Sequence, residues 1–235
     1  MINSTVLQVN NININVVRKN IKNIHLAVYP PNANVRISAP ESYDNETIKL
    51  FAISKWNWIK DNIELIKNQN RIPPKEYVSG ESHYLFGKRY MLKVQNGSKS
   101  AVTISGVKYI VITVRKNATR KTKKILMENW YRQQLHSKLE TLIPVWEKKT
   151  GLKVHSWQIK KMKTRWGTCN QSKKVIYINL ELAKRKVKEI EYIILHELLH
   201  FIEKTHNQVF VSLIQKYMPN WRLYRTDLNK FTFEE

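Results

Sequence analysis

Residues 192–202 read Tyr-Ile-Ile-Leu-His-Glu-Leu-Leu-His-Phe-Ile, and no other stretch of the chain constrains its fold so tightly. The flanks suit a buried helix, yet His196, Glu197 and His200 stand in the middle of it. Two imidazoles and a carboxylate are unfavourable in an apolar setting unless they are paired or bound to a metal. On a helix, positions i and i+4 share one face about one turn apart, so His196 and His200 can reach a single ion. Glu197, beside the first of them, can reach a water at that ion. The pattern is H-E-x-x-H, the zinc-hydrolase signature. The apolar flanks separate it from a chance occurrence on a solvated helix surface. The expectation is a zinc site with Glu197 as catalytic base.

Two histidines leave a tetrahedral zinc in need of one more protein ligand and a water. His206 lies six residues after His200. On an unbroken helix it would point about 240° away, at roughly 100° per residue. It can ligate only if the helix ends between about 202 and 205, and polar Glu203-Lys204-Thr205 suits such an end. The spacing H-E-x-x-H-x5-H matches that of metzincins, but Glu203 stands where they place a turn-forming Gly. Glu203 is the rival ligand, on the ion's side of the helix but one turn past it. The spacing favours His206, with Glu203 as a carboxylate that orients an imidazole N–H. His25, His83, His136 and His155 show no ligand spacing and read as ordinary histidines.

The formal charge of +23 is unevenly spread. Lys and Arg outnumber Asp and Glu by 16 to 7 over residues 1–115, by 16 to 3 over 116–174 and by 9 to 8 over 175–235. The basic 116–174 segment, with Trp130, Tyr131 and Trp157 interleaved, would attract nucleic acid or anionic surfaces. A solvated basic face is the plainer reading. No helix-turn-helix, finger or RNP-type motif accompanies it. Cys169 is the single cysteine, so no internal disulfide forms. With no signal-like start and no apolar run long enough to span a membrane, the expected location is cytoplasmic.

Along the chain, residues 6–39 alternate in polarity and predict strands. The turn between the last two falls at Pro30-Pro31-Asn32-Ala33-Asn34. Ile48, Phe51, Ala52, Trp56, Ile59, Ile63 and Ile66 then predict one helix, N-capped by Ser42 or Asp44 and ending before Pro73-Pro74. Residues 83–115 predict a strand meander with hairpin turns at Asn96-Gly97 and Ser105-Gly106. A basic linker, Arg115 to Lys124, leads into a long helix carrying Ile125, Leu126, Trp130, Leu135, Leu139, Leu142 and Trp146 on one side. Pro144 should kink or restart it, and Gly151 should end it. A strand pair over 153–182, the metal helix over about 186–204 and a further helix ending before Pro219 complete the reading.

Three pieces of sequence together resemble the YgjP-like metallopeptidase family, relatives of SprT-like and minimal gluzincin-type proteases. They are Lys161-Met162-Lys163-Thr164-Arg165-Trp166-Gly167-Thr168-Cys169, then His196-Glu197-Leu198-Leu199-His200, then His206 with Phe210. The resemblance runs from about Arg18 to Leu228. The family's last piece looks like H-S-x-x-F-W; Asn207 and Val211 stand here for the Ser and the Trp, and Thr168 for a usual Ser. The resemblance implies Zn2+ held by His196, His200 and His206, with Glu197 catalytic. SprT-like relatives act on DNA-bound proteins, an analogy only.

The expected architecture is α+β. Residues 1–115 form a strand-rich N-terminal module with one helix. Residues 116–235 form a zincin-like metallopeptidase domain with a long helix, small sheet, H-E-x-x-H helix and C-terminal helix. Arg165 and Trp166 either line the substrate cleft or form a turn whose Trp packs on the metal helix. A peptide substrate could add as a strand to an exposed edge of the 153–182 sheet. The competing expectation is a nucleic-acid-associated protein in which zinc is structural or regulatory, and the two combine in a protease recruited to nucleic acid.

Overall fold

In the computed structural model, which describes residues 4–29, 32–68 and 75–230, the alternating N-terminal segments are four strands. They are β1 (Ser4–Val9), β2 (Ile12–Lys19), β3 (His25–Tyr29) and β4 (Asn34–Pro40). Two antiparallel hairpins join through a parallel central pair, β2 with β4, to give the order β1-β2-β4-β3. Ile14, Val16, Val35 and Ile37 fill one face. Against them pack Ile48 and Ala52 of α1 (Asn45–Ser54) and Ile59 of α2 (Trp56–Asn68). Asp44 is the N-cap, accepting from the Thr47 N–H at 2.8 Å. The single helix expected here is two. The chain leaves helical geometry at Lys55 (φ −104°, ψ 14°), whose N–H is shared between the Phe51 and Ala52 carbonyls. The predicted turn residues Pro30 and Pro31 and the helix end before Pro73-Pro74 lie outside the described residues.

The next four strands are β5 (Ser82–Leu85), β6 (Lys88–Asn96), β7 (Ala101–Ser105) and β8 (Tyr109–Val114). They are not a meander. Their order is β5-β6-β8-β7, with β6 parallel to β8, so the segment after Asn96 crosses to the far edge before β8 returns to the centre. Leu92, Ile110, Ile112 and Val114 share one buried cluster with Met127, Leu135 and Leu139 of α3 (Arg120–Thr150). That shared core explains why the chain divides into compact units of residues 1–71 and 72–235. The 115/116 boundary expected from the basic linker runs inside the second unit.

Helix α3 is N-capped by Thr119, whose hydroxyl accepts from the Thr122 N–H at 3.2 Å, and ends on left-handed Gly151 (φ 73°). Pro144 neither restarts nor ends it, because the ring sits on the exposed face, where a carbonyl left without its helical partner can bond to water. The strand pair expected over 153–182 is a three-stranded sheet. It consists of β9 (Ser156–Lys160), β10 (Gly167–Asn170) and β11 (Val175–Asn179) in the order β10-β11-β9. A 3-10 turn (Leu180–Lys184) leads to α4 (Val187–Leu199), α5 (Gln208–Tyr217) and α6 (Trp221–Asn229). The molecule is thus α+β. Among the described residues, no helix is long and apolar enough to cross a membrane.

Candidate metal centre

Helix α4 is buried almost all round, with Ile190, Ile194, Leu195, Leu198 and Leu199 fully excluded from solvent. It stops at Leu199, with His200 as its C-cap, earlier than the sequence suggested. The N–H groups of Phe201 and Ile202 close back on Leu198 and Leu199 at 2.9 and 3.0 Å, tightening the last turn. The Glu203 carboxylate then accepts from both the N–H and the hydroxyl of Thr205, each at 3.0 Å. Asn207, in the place of the family's Ser, caps α5 through the Phe210 N–H at 3.1 Å. These local bonds reverse the chain and return His206 over the end of α4.

The result is a convergent trio. His196 Nε2 lies 3.2 Å from His200 Nε2 and 3.0 Å from His206 Nε2, and all three potential ligand atoms fall within 4.8 Å of one another. Buried Phe210 contacts each ring, at centroid distances of 5.0, 4.8 and 4.8 Å. His200 Nδ1 is 2.9 Å from the Glu203 carbonyl. A carbonyl can only accept, so Nδ1 carries the proton and Nε2 presents its lone pair. Glu203 therefore orients an imidazole through its main chain, while its carboxylate holds the turn. His196 Nδ1 is buried and unpartnered among the described residues. Burial first, then the neighbouring His200 and His206, push the His196 imidazole down to about 3. His206 is lowered for the same kind of reason. Neutral imidazoles with converging lone pairs are what a metal ion requires, and this donor set fits one.

Glu197 occupies the inner wall beside the trio. Burial drives its carboxyl up to about 8, against the Cys169 thiol that donates to it and the Arg165 guanidinium nearby. Cys169 is pushed up to about 12, by burial and then by Glu197 itself. The Arg165–Cys169 stretch does two things at once. Trp166 packs against the core, and it also lines, with Arg165, β10, Lys204 and Arg225, a cleft of 970 Å³ over the histidines. Asn179 pins the stretch from beneath, its side-chain amide donating to the Met162 and Arg165 carbonyls at 2.9 and 2.7 Å. Gly167 is required by close approach: a Cβ there would meet Glu197 Oε1 at 2.7 Å and Ile193 Cγ2 at 2.8 Å.

Sequence reasoning did not single out Arg225, Lys204, Tyr192 or Asn179, and gave Cys169 no role. Arg225, Asn179 and Cys169 reach the cleft or its wall by packing between elements distant in sequence, whereas Tyr192 lies on α4 itself and Lys204 in the turn after it. Outside the trio, His83 bonds Glu81 Oε2 at 3.0 Å and His136 lies 3.5 Å from the Glu140 carboxylate.

No curated protein matches this chain. Among solved structures it is similar to the metallopeptidase zymogens of Pyrococcus abyssi abylysin and Methanocaldococcus jannaschii jannalysin, each at 19% identity and a TM-score of 0.36. The first match covers 38% of this chain and 90% of the other, the second 40% and 88%. The model of the YgjP-like metallopeptidase domain matches residues 22–231, a span that takes in the histidine trio, Glu197 and the Arg165–Cys169 stretch. With H-E-x-x-H and the returning His206 inside that match, the chain belongs to the YgjP-like metallopeptidase family.

Proposed function

We propose that the chain is a zinc-dependent endopeptidase with His196, His200 and His206 as ligands and Glu197 as general base. The observation that carries this reading is three imidazoles converging beside a buried carboxyl, all facing one cleft. A zinc ion held there would supply Lewis acidity, acidifying water and polarising a peptide carbonyl. Glu197 takes one proton from the attacking water as its oxygen adds to the carbonyl carbon, and returns a proton to the amine nitrogen as the C–N bond breaks. It must be ionised for the first step. Burial opposes that, while the Cys169 thiol and Arg165 favour it. Among the described residues, strand β10 pairs only with β11, which leaves its other edge to grip an extended substrate by main-chain hydrogen bonds. Edge access along the chain, rather than capture of a terminus, favours internal cleavage.

The nucleic-acid alternative has less support. Trp130 and Tyr131 are buried in the core of the second unit and cannot stack on bases, while half-buried Trp157 packs on His136 at 4.7 Å. The single cysteine suits a reducing compartment, and a cytoplasmic location is part of the proposal. Metal analysis of wild type and His196→Ala tests the ligand set, and equal zinc in both would end it. Glu197→Gln should keep its zinc and lose hydrolysis of a protein substrate, with and without added DNA. Full activity in that variant would remove Glu197 as the base.

A further inference from the structure

Three cations line the cleft. Arg165 precedes β10, Lys204 sits in the turn that returns His206, and Arg225 projects from α6. Among the described residues, no carboxylate forms a close ion pair with any of them, although Arg165 acts at longer range on Glu197. Among the described residues, the only acidic one lining the cleft is Glu197, which is buried. Candidate counter-charges nearby are already engaged. Asp227, on the same helix as Arg225, lies 3.5 Å from both Lys186 and Lys230. The Glu203 carboxylate, next to Lys204, is held by Thr205 and does not line the cleft.

Arg225 is exposed and stands beside an aromatic group that leads to the histidines. The Tyr192 ring meets His196 edge-on at 5.8 Å and stacks at 6.4 Å on Trp221, and the Arg225 guanidinium carbon lies 5.9 Å from the Trp221 ring. This aromatic ladder runs from a ligand histidine to Trp221, which Arg222 approaches more closely, at 4.7 Å; Arg225 lines the cleft, and its field reaches both His196 and His206. Low-dielectric walls strengthen the field of fixed charges in a cleft and raise the local concentration of the opposite charge.

We propose that this cleft selects acidic segments of polypeptide, with Arg165, Lys204 and Arg225 reading Asp or Glu side chains on either side of the cleaved bond. The inference rests on the peptidase reading for its consequence in turnover, but not for its consequence in binding. Overall charge is a separate effect. The +23 of the whole chain would attract any polyanion to many places, whereas the cleft cations act on groups that enter the cleft.

The test uses the full chain loaded with zinc and three quenched-fluorescent peptides that differ only in carrying Glu, Gln or Lys on both sides of the cleaved bond. The kcat/KM values should fall in the order Glu, Gln, Lys, with about tenfold between the ends, and the spread should shrink in about 0.5 M salt. Arg225→Glu and Lys204→Glu should each flatten or invert the order. Lys121→Glu, which removes an exposed charge of α3 outside the cleft, should leave it unchanged. Fluorescence anisotropy with Glu197→Gln reads binding of the same peptides without turnover and should give the same order. Equal binding of the three peptides overturns the proposal whether or not cleavage occurs. So does an equal effect of Lys121→Glu and Arg225→Glu. Failure to cleave any peptide, with the binding order intact, would instead remove the peptidase reading and leave an acidic-peptide site.

Discussion

Glu197 and His196 are neighbours in sequence whose burial acts on them in opposite directions, and the signs make the metal-free chain testable. The Glu197 carboxyl is raised from 4.5 to about 8, so between those values the folded state keeps a proton that the unfolded state releases. Folding stability therefore falls as pH rises through that window. His196 is lowered from 6.5 to about 3, so its contribution runs the other way: stability rises with pH from about 3 to 6.5. Glu197→Gln deletes the first effect alone. In the metal-free state the variant should melt on the order of 5 °C above wild type near pH 9, and the gap should close towards pH 4.5. Thermal melts across that range decide it, and a gap that does not change with pH would show that the carboxyl is not raised in the folded state. At this scale the sequence was most informative where geometry is local. The i, i+4 pair follows from helix periodicity, whereas the Cys169 bond to Glu197 and the approach of Arg225 depend on contacts between β10, α4 and α6.

At the scale of elements, the joint between β10 and α4 decides where Glu197, the proposed base, is placed. Strand β10 runs so close to the helix that Gly167 has no room for a side chain: a methyl group there would lie 2.7 Å from Glu197 and 2.8 Å from Ile193. Gly167→Ala must push the strand outward or turn Glu197 aside, at a cost of about 1–3 kcal/mol. The three histidines belong to α4 and the turn after it, so the variant should bind zinc as wild type does while its hydrolysis collapses. Metal content and activity measured on the same preparation separate the two, and wild-type activity would show that the joint is slack. The Trp-Gly-Thr-Cys run reads in the sequence as a loop between two strands, because the four half-buried residues of β10 carry no alternation and periodicity does not name a strand's neighbour. The same gap explains the false meander over residues 83–115: periodicity gives β6, β7 and β8 correctly but cannot report that β6 lies parallel to β8. Helix α6 escaped notice because only Trp221 and Leu228, seven residues apart, are buried from it, too sparse a pattern to read.

For the whole molecule, the two compact units carry the same strand order, two hairpins joined by a parallel central pair, although no repeat is visible in the sequence. Shared topology survives without shared residues because only the alternation and the turn positions need to persist. Their tight turns show the same solution by different chemistry, with left-handed Asn10 between β1 and β2 and left-handed Phe86 and Gly87 between β5 and β6. The buried clusters of the units have no residue in common, and all three histidines belong to the second. A ligand that binds only the folded second unit stabilises that unit alone, by about 4 kcal/mol at a thousand times its Kd. Calorimetry of the zinc-loaded chain should accordingly resolve two transitions. Chelation should lower the one belonging to residues 72–235 by several degrees and leave the other where it was. His206→Ala should reproduce the chelated trace in the presence of zinc, because two histidines of one helix then remain to hold the ion. A single transition that moves as a whole would mean that the units unfold together and that the metal stabilises both.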